Sequence, residues 1–394
     1  MKKIILLAII LCITKAGQAQ SNIDNILHSI ESNNSELRAN QQTANSQKLQ
    51  NRTDNNLPDP GISYSHLWGE KSQDGTVGEL IVSQSFDFPT LYAARARTNR
   101  LKDKALDAQN TAFRQELLLQ AKELCFDIIL LQQQQKLLED RLQQTRELVS
   151  FFQARLEKGD ANILETNKVK LELLNIQTET RMNQTLLESK WKDLTAMNDN
   201  QPFKIDSIFQ VPLPLLPADY EQLRNEVLNS DMTLQSLNSL DIASRRQIAV
   251  DRQGWLPAIE LGYRRNTESG IPFNGIVVGF SVPLFQNRNK VKRAKARSQS
   301  ITYQKESVTQ QAKASLKKLY NEGKALQMSI QEYQEALHLQ QNISLLKQAL
   351  TGGQINVTEY FMEVTIVYQS KQNLLQLENR YQKVIARIYK NKEL

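Results

Sequence analysis

From Leu117 to Leu156 the chain reads LLLQAKELCFDIILLQQQQKLLEDRLQQTRELVSFFQARL. Within it Leu117, Ala121, Leu124, Ile128, Leu131, Gln135, Leu138, Leu142, Thr145, Val149, Phe152 and Leu156 alternate spacings of four and three. That is a heptad seam, the pattern of a helix packed along its length against another helix. Only Gln135 and Thr145 interrupt it. Phe113, Leu118, Ile129 and Leu130 lie off the seam and supply a second apolar face. A helix with two such faces has two neighbours, as in a cylinder of helices, whereas a lone coiled-coil hairpin needs one.

Nothing breaks this pattern between about Thr90 and Lys158. A helix of about 70 residues is about 100 Å long. A second seam runs through Leu316, Leu319, Gly323, Leu326, Ile330, Tyr333 and Leu337, then shifts to Leu339, Ile343, Leu346 and Leu350. A third, in the last helix, carries Val357, Tyr360, Val364, Val367, Lys371, Leu374, Glu378, Tyr381, Ile385 and Ile388.

The chain repeats itself at an offset close to half its length. Leu57-Pro58 with Ile62-Ser63-Tyr64 recurs as Leu256-Pro257 with Leu261-Gly262-Tyr263. Gly159-Asp160-Ala161-Asn162-Ile163 with Glu165 recurs as Gly353-Gln354-Ile355-Asn356-Val357 with Glu359, and Arg95-Ala96-Arg97 as Arg293-Ala294-Lys295. Each half reads as helix, strand, loop, strand, long helix, tight turn and return helix. The prolines mark the boundaries, because proline removes a donor and clashes inside a helix. Pro58, Pro60, Pro89, Pro257 and Pro283 fall where strands meet helices, and Pro272 in a strand-connecting loop. Pro202, Pro212, Pro214 and Pro217 cluster between the halves. All ten are expected outside the helices.

Four segments alternate with period two, and strands are expected at about 61–68, 77–88, 258–265 and 275–285. Ile259, Leu261 and Tyr263 alternate with Glu260, Gly262 and Arg264; Ile276, Val278, Phe280 and Val282 with Val277, Gly279 and Ser281. In the first half Ile62 and Tyr64 alternate with serines, and Leu80, Val82, Phe86 and Phe88 with polar residues, although Ile81 and Gln84 spoil the second pattern. The polar stretches Gly69 to Gly75 and Asn266 to Asn274 are expected to join the strands as hairpins. One apolar and one polar face fits lipid outside and water inside; a small soluble sheet lying on a core fits the alternation too. Four strands cannot close a membrane barrel, which needs about eight or more. Open edges in lipid would leave backbone groups unpaired. Strands in a membrane therefore require several copies of the chain.

The N-terminus points to export. Met1-Lys2-Lys3, the apolar run Ile4 to Ile13, and Gly17-Gln18-Ala19 ahead of Gln20 form a secretory signal peptide over residues 1–19. Leu11 before Cys12 argues against lipid attachment there. The mature chain keeps one cysteine, Cys125, among apolar neighbours, so no intramolecular disulfide forms. The chain has 49 basic and 42 acidic residues and a pI near 9.1, and three of the lysines belong to the leader. Apart from Arg288 to Arg297 the charges are interspersed, which is a solvated face and not a nucleic-acid track. No catalytic constellation or cofactor motif is present. His28, His66 and His338 have no metal-ligand spacing, and Gly352-Gly353 is a turn, not a phosphate cradle.

The architecture resembles the TolC-type outer-membrane factors of tripartite efflux pumps, over essentially the whole mature chain. The resemblance is carried by Asn34-Ser35-Glu36-Leu37 ahead of Leu57-Pro58-Asp59-Pro60, Ser83-Gln84-Ser85-Phe86, Gly159 with Asn162, Trp255-Leu256-Pro257, Ser281-Val282-Pro283-Leu284-Phe285 and Gly353 with Asn356. Their order, duplicated across two halves, is the specific feature. Ser35 departs from the proline common there in the family, which touches one helix start. The resemblance implies a mainly α protein with a small transmembrane β-barrel part. Its two repeats would span 20–198 and 219–394 around a linker at 199–218. It implies a homotrimer in the cell outer membrane, with twelve strands in the lipid and long α-helical hairpins forming an α-barrel in the periplasm. Implied partners are a periplasmic adaptor (a membrane fusion protein) and an inner-membrane transporter of RND type. Among subfamilies the chain looks nearest to the heavy-metal and cation efflux branch.

By position, the resemblance carries the adaptor-docking and aperture turns onto Arg155, Leu156, Gly159 and Asn162, and onto Leu350, Gly352, Gly353 and Asn356. The plain alternative is that each glycine is a left-handed helix cap. Glu359 and Glu363, one turn apart and opposite the Tyr360–Val364–Val367 seam, would form an acidic ring in the lumen, a cation-selecting device, or are two solvated glutamates. A reading of another class is a periplasmic coiled-coil adaptor or scaffold without a barrel. The four alternating segments discriminate against it. No nucleophile, base or cofactor signature supports an enzyme, and the transported solute is not legible.

Overall fold

A computed structural model describes residues 22–70, 75–160, 162–203, 212–268, 270–339 and 343–394. The leader expected over residues 1–19 lies outside them. Helix α1 covers 22–33 and α2 Ser35–Thr53; strands β1 (Gly61–Trp68) and β2 (Thr76–Phe86) follow, then α3 (Pro89–Glu157) and α4 (Ile163–Met197). The second half gives α5 (Tyr220–Ser230), α6 (Met232–Gln253), β3 (Ala258–Glu268), β4 (Ile271–Ser281), α7 (Lys290–Leu339), α8 (Ile343–Thr351) and α9 (Val357–Glu393). Two compact units emerge, and each draws on both halves of the sequence.

The first unit contains the described part of Met1–Arg38, with Phe113–Val227 and Lys313–Leu394. Its cores follow the seams. Ile26 and Ile30 of α1 pack on Leu118, Cys125, Ile128 and Ile129 of α3, with Leu194 of α4. Leu118 and Ile129 are buried off the first seam, so α3 does use a second face. Burial pushes the Cys125 thiol up to about 12, and it stays a packed thiol. A second core joins Leu223 of α5, Tyr320 and Ile330 of α7, and Tyr381, Ile385 and Ile388 of α9. Here the proline-rich connection is pinned. Tyr381 Oη donates to the Pro214 carbonyl at 2.7 Å and Tyr320 Oη to that of Ala218 at 2.8 Å.

The two polar interruptions of the first seam are satisfied. Asn183 of α4 is buried, and its amide donates to the Leu131 carbonyl at 3.0 Å and to Gln135 Oε1 at 2.9 Å. Thr145 Oγ1 donates to the Arg141 carbonyl at 2.9 Å. A single polar contact within an apolar seam fixes register at some cost in stability.

The second unit, Ala39–Ala112 and Leu228–Ala312, carries the sheet. Its order is β1-β2-β3-β4, antiparallel throughout, so β1 and β4 are open edges. The register puts Ile62, Val82, Tyr263 and Ile276 in one row, and Phe86, Ile259 and Phe280 in another on the same face. Among the described residues nothing covers that face: Trp68 is 76% exposed, Ile276 85% and Phe280 68%. The opposite face carries serines, glycines and an Arg264–Glu79 ion pair. Ile81 falls on this polar face, opposite Ser63 and Arg264. Gln84 falls on the apolar face and turns its amide to the Pro58 carbonyl at 2.6 Å.

Several boundaries differ from expectation. The stretch Asn266 to Asn274 is not a loop. Strand β3 continues to Glu268 and β4 starts at Ile271, because backbone pairing persists where the side chains of β3 turn polar on both faces. Pro272 accordingly lies in β4, an edge strand, where a missing donor is tolerated. At the other end, β2 stops at Phe86 and β4 at Ser281, short of 88 and 285. Beyond Ser281 the next partner of β4 would be Pro257, which has no N–H to extend the ladder, and beyond Phe86 the Asp87 N–H donates to Tyr92 Oη at 3.0 Å. Pro89 is the first residue of α3, a position whose N–H needs no partner. The helix expected before each hairpin is two helices. Asn34 caps α2 through the Leu37 N–H and Asp231 caps α6 through the Leu234 N–H. The second seam shifts between Leu337 and Leu339, at the end of α7, and 340–342 lie outside the described residues.

The Gln135–Asn183 contact gives a direct test. Asn183→Leu alone should lower stability by about 1 kcal/mol, the net worth of a lost hydrogen bond. Gln135→Leu with Asn183→Leu should recover that loss, since the pair is then apolar on both sides. Thermal melts of the two variants beside wild type check it; equal destabilisation by the single and double changes would contradict it.

Candidate functional site at the two hairpin turns

The turns from α3 to α4 and from α8 to α9 have the same geometry. Gly159 and Gly353 have φ of 77° and 73°, the left-handed region that costs a side chain about 1–2 kcal/mol. The N–H of Asp160 donates to the Arg155 carbonyl at 2.8 Å and that of Gly159 to the Leu156 carbonyl at 3.0 Å. Gln354 donates to Ala349 at 2.8 Å and Gly353 to Leu350 at 3.2 Å. Both are therefore Schellman caps, which satisfy the last carbonyls of a helix. Gly352 occupies the position before the left-handed residue, and its N–H donates to Gln348 at 2.8 Å.

Three residues beyond each glycine an asparagine starts the return helix. Asn162 Oδ1 accepts from the Leu164 N–H and Asn356 Oδ1 from the Glu359 N–H, each at 2.9 Å. The Glu359 carboxylate accepts from the Asn356 N–H at 2.9 Å and completes a capping box. Glu359 thus has a local role at the helix start. Glu359 and Glu363 are both exposed, while Tyr360, Val364 and Val367 on the same helix are buried. Arg155 lies over the Phe151 ring, 5.7 Å from its centroid, and donates to the Asp160 carbonyl at 2.7 Å, bracing the first turn.

The structure brings the helices of both turns onto one core. Leu350, Val357, Tyr360 and Val364 pack with Leu148 and Phe152 of α3 and Val169 of α4, while Leu156 is half-buried. Burial pushes the Tyr360 phenol up to about 12, so it stays protonated. Polar contacts then tie one hairpin to the other. Lys347 Nζ meets Glu147 at 2.5 Å and Lys168 Nζ donates to Thr358 Oγ1 at 3.0 Å. Tyr368 Oη donates to Gln144 Oε1 at 3.2 Å, with Arg141 5.2 Å from the Tyr368 ring centroid. Arg141 also pairs with Glu172 at 2.5 Å. Sequence reasoning missed all of these. Arg141–Glu172 joins the two helices of the first hairpin, 31 residues apart, while the other partners lie 190 or more residues apart, and only the approach of the hairpins creates those pairs. Among the described residues no group of three histidine, cysteine or acidic side chains could hold a metal ion.

No protein-family model and no curated protein matches the chain. Solved structures do. The chain is similar to CusC, described for its folding and transmembrane channel formation, with a TM-score of 0.77 and 17% identity over 94% of this chain and 91% of that one. It is similar to the outer membrane protein VceC from Vibrio cholerae, with a TM-score of 0.76 and 16% identity over 95% and 97% of the two chains. For the open-state MtrE outer membrane channel of Neisseria gonorrhoeae the TM-score is 0.77 and the identity 14%, over 94% and 88%. The fold is that of TolC-type outer-membrane channels, as the sequence resemblance implies.

The Lys347–Glu147 tie has a defined pH dependence. Its hydrogen bond and the lysine charge hold the Glu147 carboxyl below its ordinary value of 4.5. A depressed carboxylate contributes above the unfolded value and is lost as pH falls through the folded one. The tie should therefore persist at neutral and mildly acidic pH and release only below 4.5. NMR titration of a labelled Glu147 carboxyl, in wild type and in Lys347→Met, reads this. The variant should titrate at a higher pH than wild type; identical midpoints would contradict the contact.

Proposed function

We propose that this chain is the outer-membrane channel of a tripartite efflux system, working as a homotrimer. The observation that carries the reading is the sheet: one apolar face left uncovered by the described residues, one polar face, and two open edges. An antiparallel sheet of this kind is stable in lipid only when closed, and three copies of four strands make a barrel of known size. Its longest strands have 11 residues, the length that crosses a bilayer at a tilt. An exposed stripe on α4, with Leu164, Leu171, Met182 and Leu186, offers a second surface for a neighbouring copy. The helices would then form a tunnel through the periplasm, in the manner of the resembled family.

In this reading the capped turns around Gly159 and Gly353 sit at the periplasmic mouth and meet the adaptor. The ties between the hairpins hold the mouth narrow. Glu359 and Glu363, exposed and repeated in three copies, form an acidic ring that favours cations. The inner-membrane transporter is of RND type and selects the solute, and the cation branch is the subfamily favoured. A periplasmic scaffold is the lesser reading, since it leaves a large apolar sheet face in water without a use.

Two measurements test this. The mature chain should fractionate with the outer membrane and have a trimer's mass in mild detergent; a soluble monomer would sink the barrel. A Gly159→Val, Gly353→Val double variant should still insert, because no atom lies within 4 Å of either added Cβ and the strain is about 1–2 kcal/mol per site. It should nonetheless lose efflux and cross-link poorly to its adaptor. Normal pumping at normal abundance would reduce the turns to caps.

A further inference from the structure

The run Arg288 to Arg297 is the one break in an otherwise interspersed charge pattern, and neither the sheet nor the turns account for it. Arg288, just ahead of α7, and Lys292 and Lys295 in its first turns are exposed, whereas Ala294 and Ser298 are buried and Ser298 bonds Ser244 of α6. Arg97, Arg100 and Lys104 make a similar stripe at the start of α3, away from the buried Leu91, Thr98 and Ala105. All six are exposed, and none has an ion-pair partner among the described residues.

That isolation is local. On α9, Arg380, Lys383, Arg387 and Lys390 each have a carboxylate within 2.9 Å. Acids do lie near the sheet, but elsewhere. Asp54, Asp87 and Asp251 line a cavity of about 300 Å³ together with Ala258 and Ser281, a paired couple on the sheet's polar side. Lys295 lines the other flank of the α6–α7 seam, beside Arg245 and Tyr303. The acids nearest the second stripe, Asp103 and Asp107 on α3, are engaged by Asn51 and Lys48 of α2 instead. The cationic stripes begin just past the strand ends and extend along the first turns of their helices, within about 25 Å at 1.5 Å per residue. Between strand and stripe stand the exposed Phe285 and, at the end of α6, Trp255, residue types that gather at membrane interfaces.

We propose that these six cations form a collar that binds the phosphate headgroups of anionic phospholipid in the leaflet at the helical end of the sheet. The collar rests on the reading of the sheet as membrane-embedded. Unpaired lysines and arginines next to a bilayer are attracted by its surface charge, and the attraction decays over about a Debye length. The collar sets the depth of the sheet in the membrane and draws anionic lipid to the base of the barrel.

The test uses the full mature chain reconstituted in vesicles of phosphatidylcholine with phosphatidylglycerol, then extracted in mild detergent. Mass spectrometry reads the ratio of the two lipids retained. Wild type should retain phosphatidylglycerol above its bulk share, and less so at high salt. Replacing the six by glutamine should bring the ratio to the bulk value. A variant with Arg97→Lys, Arg100→Lys and Arg288→Lys should behave as wild type. Retention at the bulk ratio by wild type, or enrichment unchanged in the glutamine variant, would overturn the collar. Insertion into pure phosphatidylcholine vesicles separates the two ideas. Normal insertion without enrichment sinks only the collar, and failure of wild type to insert sinks the channel reading beneath it.

Discussion

Each edge of the sheet leaves a row of backbone N–H and C=O groups without partners, and one face leaves a row of large apolar side chains without cover. In water the edges would be hydrated and the face would be costly; in lipid the costs reverse. Every unpaired backbone group in hydrocarbon costs several kcal/mol, so open edges demand closure by further strands. A chain with four strands cannot supply them itself. Closure by other copies of the chain is what the proposed membrane reading of this sheet requires.

The helical unit is built to hold its own register. Apolar seams supply most of the stabilisation, at about 1.5–3 kcal/mol for each fully buried large side chain. Polar contacts placed among them, such as Asn183 with Gln135, choose one alignment among the many that a repetitive seam allows. Near the turns the balance changes. Exposed ion pairs such as Lys347–Glu147 contribute little to stability. Their contribution is to the alignment of the two hairpins rather than to the stability of the core.

Much of this was legible from residue spacing. The seam from Leu117 to Leu156 announced a long helix with two neighbours, and the paired glycine and asparagine at 159 and 162, and at 353 and 356, announced two capped turns. The second hairpin was less legible. From Arg264 to Glu268 polar residues occupy both faces, so the period-two pattern vanishes although the ladder continues. The ties between hairpins were invisible. Arg141, Glu147 and Lys168 look like ordinary surface charges until tertiary packing brings Tyr368, Lys347 and Thr358 beside them.

The central claim is that the two faces of the sheet meet different media. Cys125 is buried, so single cysteines introduced along β4 can carry a spin label with little background. In the bilayer-reconstituted protein, labels at Ile276, Val278 and Phe280 should be accessible to oxygen and shielded from a water-soluble relaxant. Labels at Val277, Gly279 and Ser281 should show the reverse. Equal accessibility of all six to the water-soluble reagent would mean that the sheet does not face lipid, and the account would fail at its base.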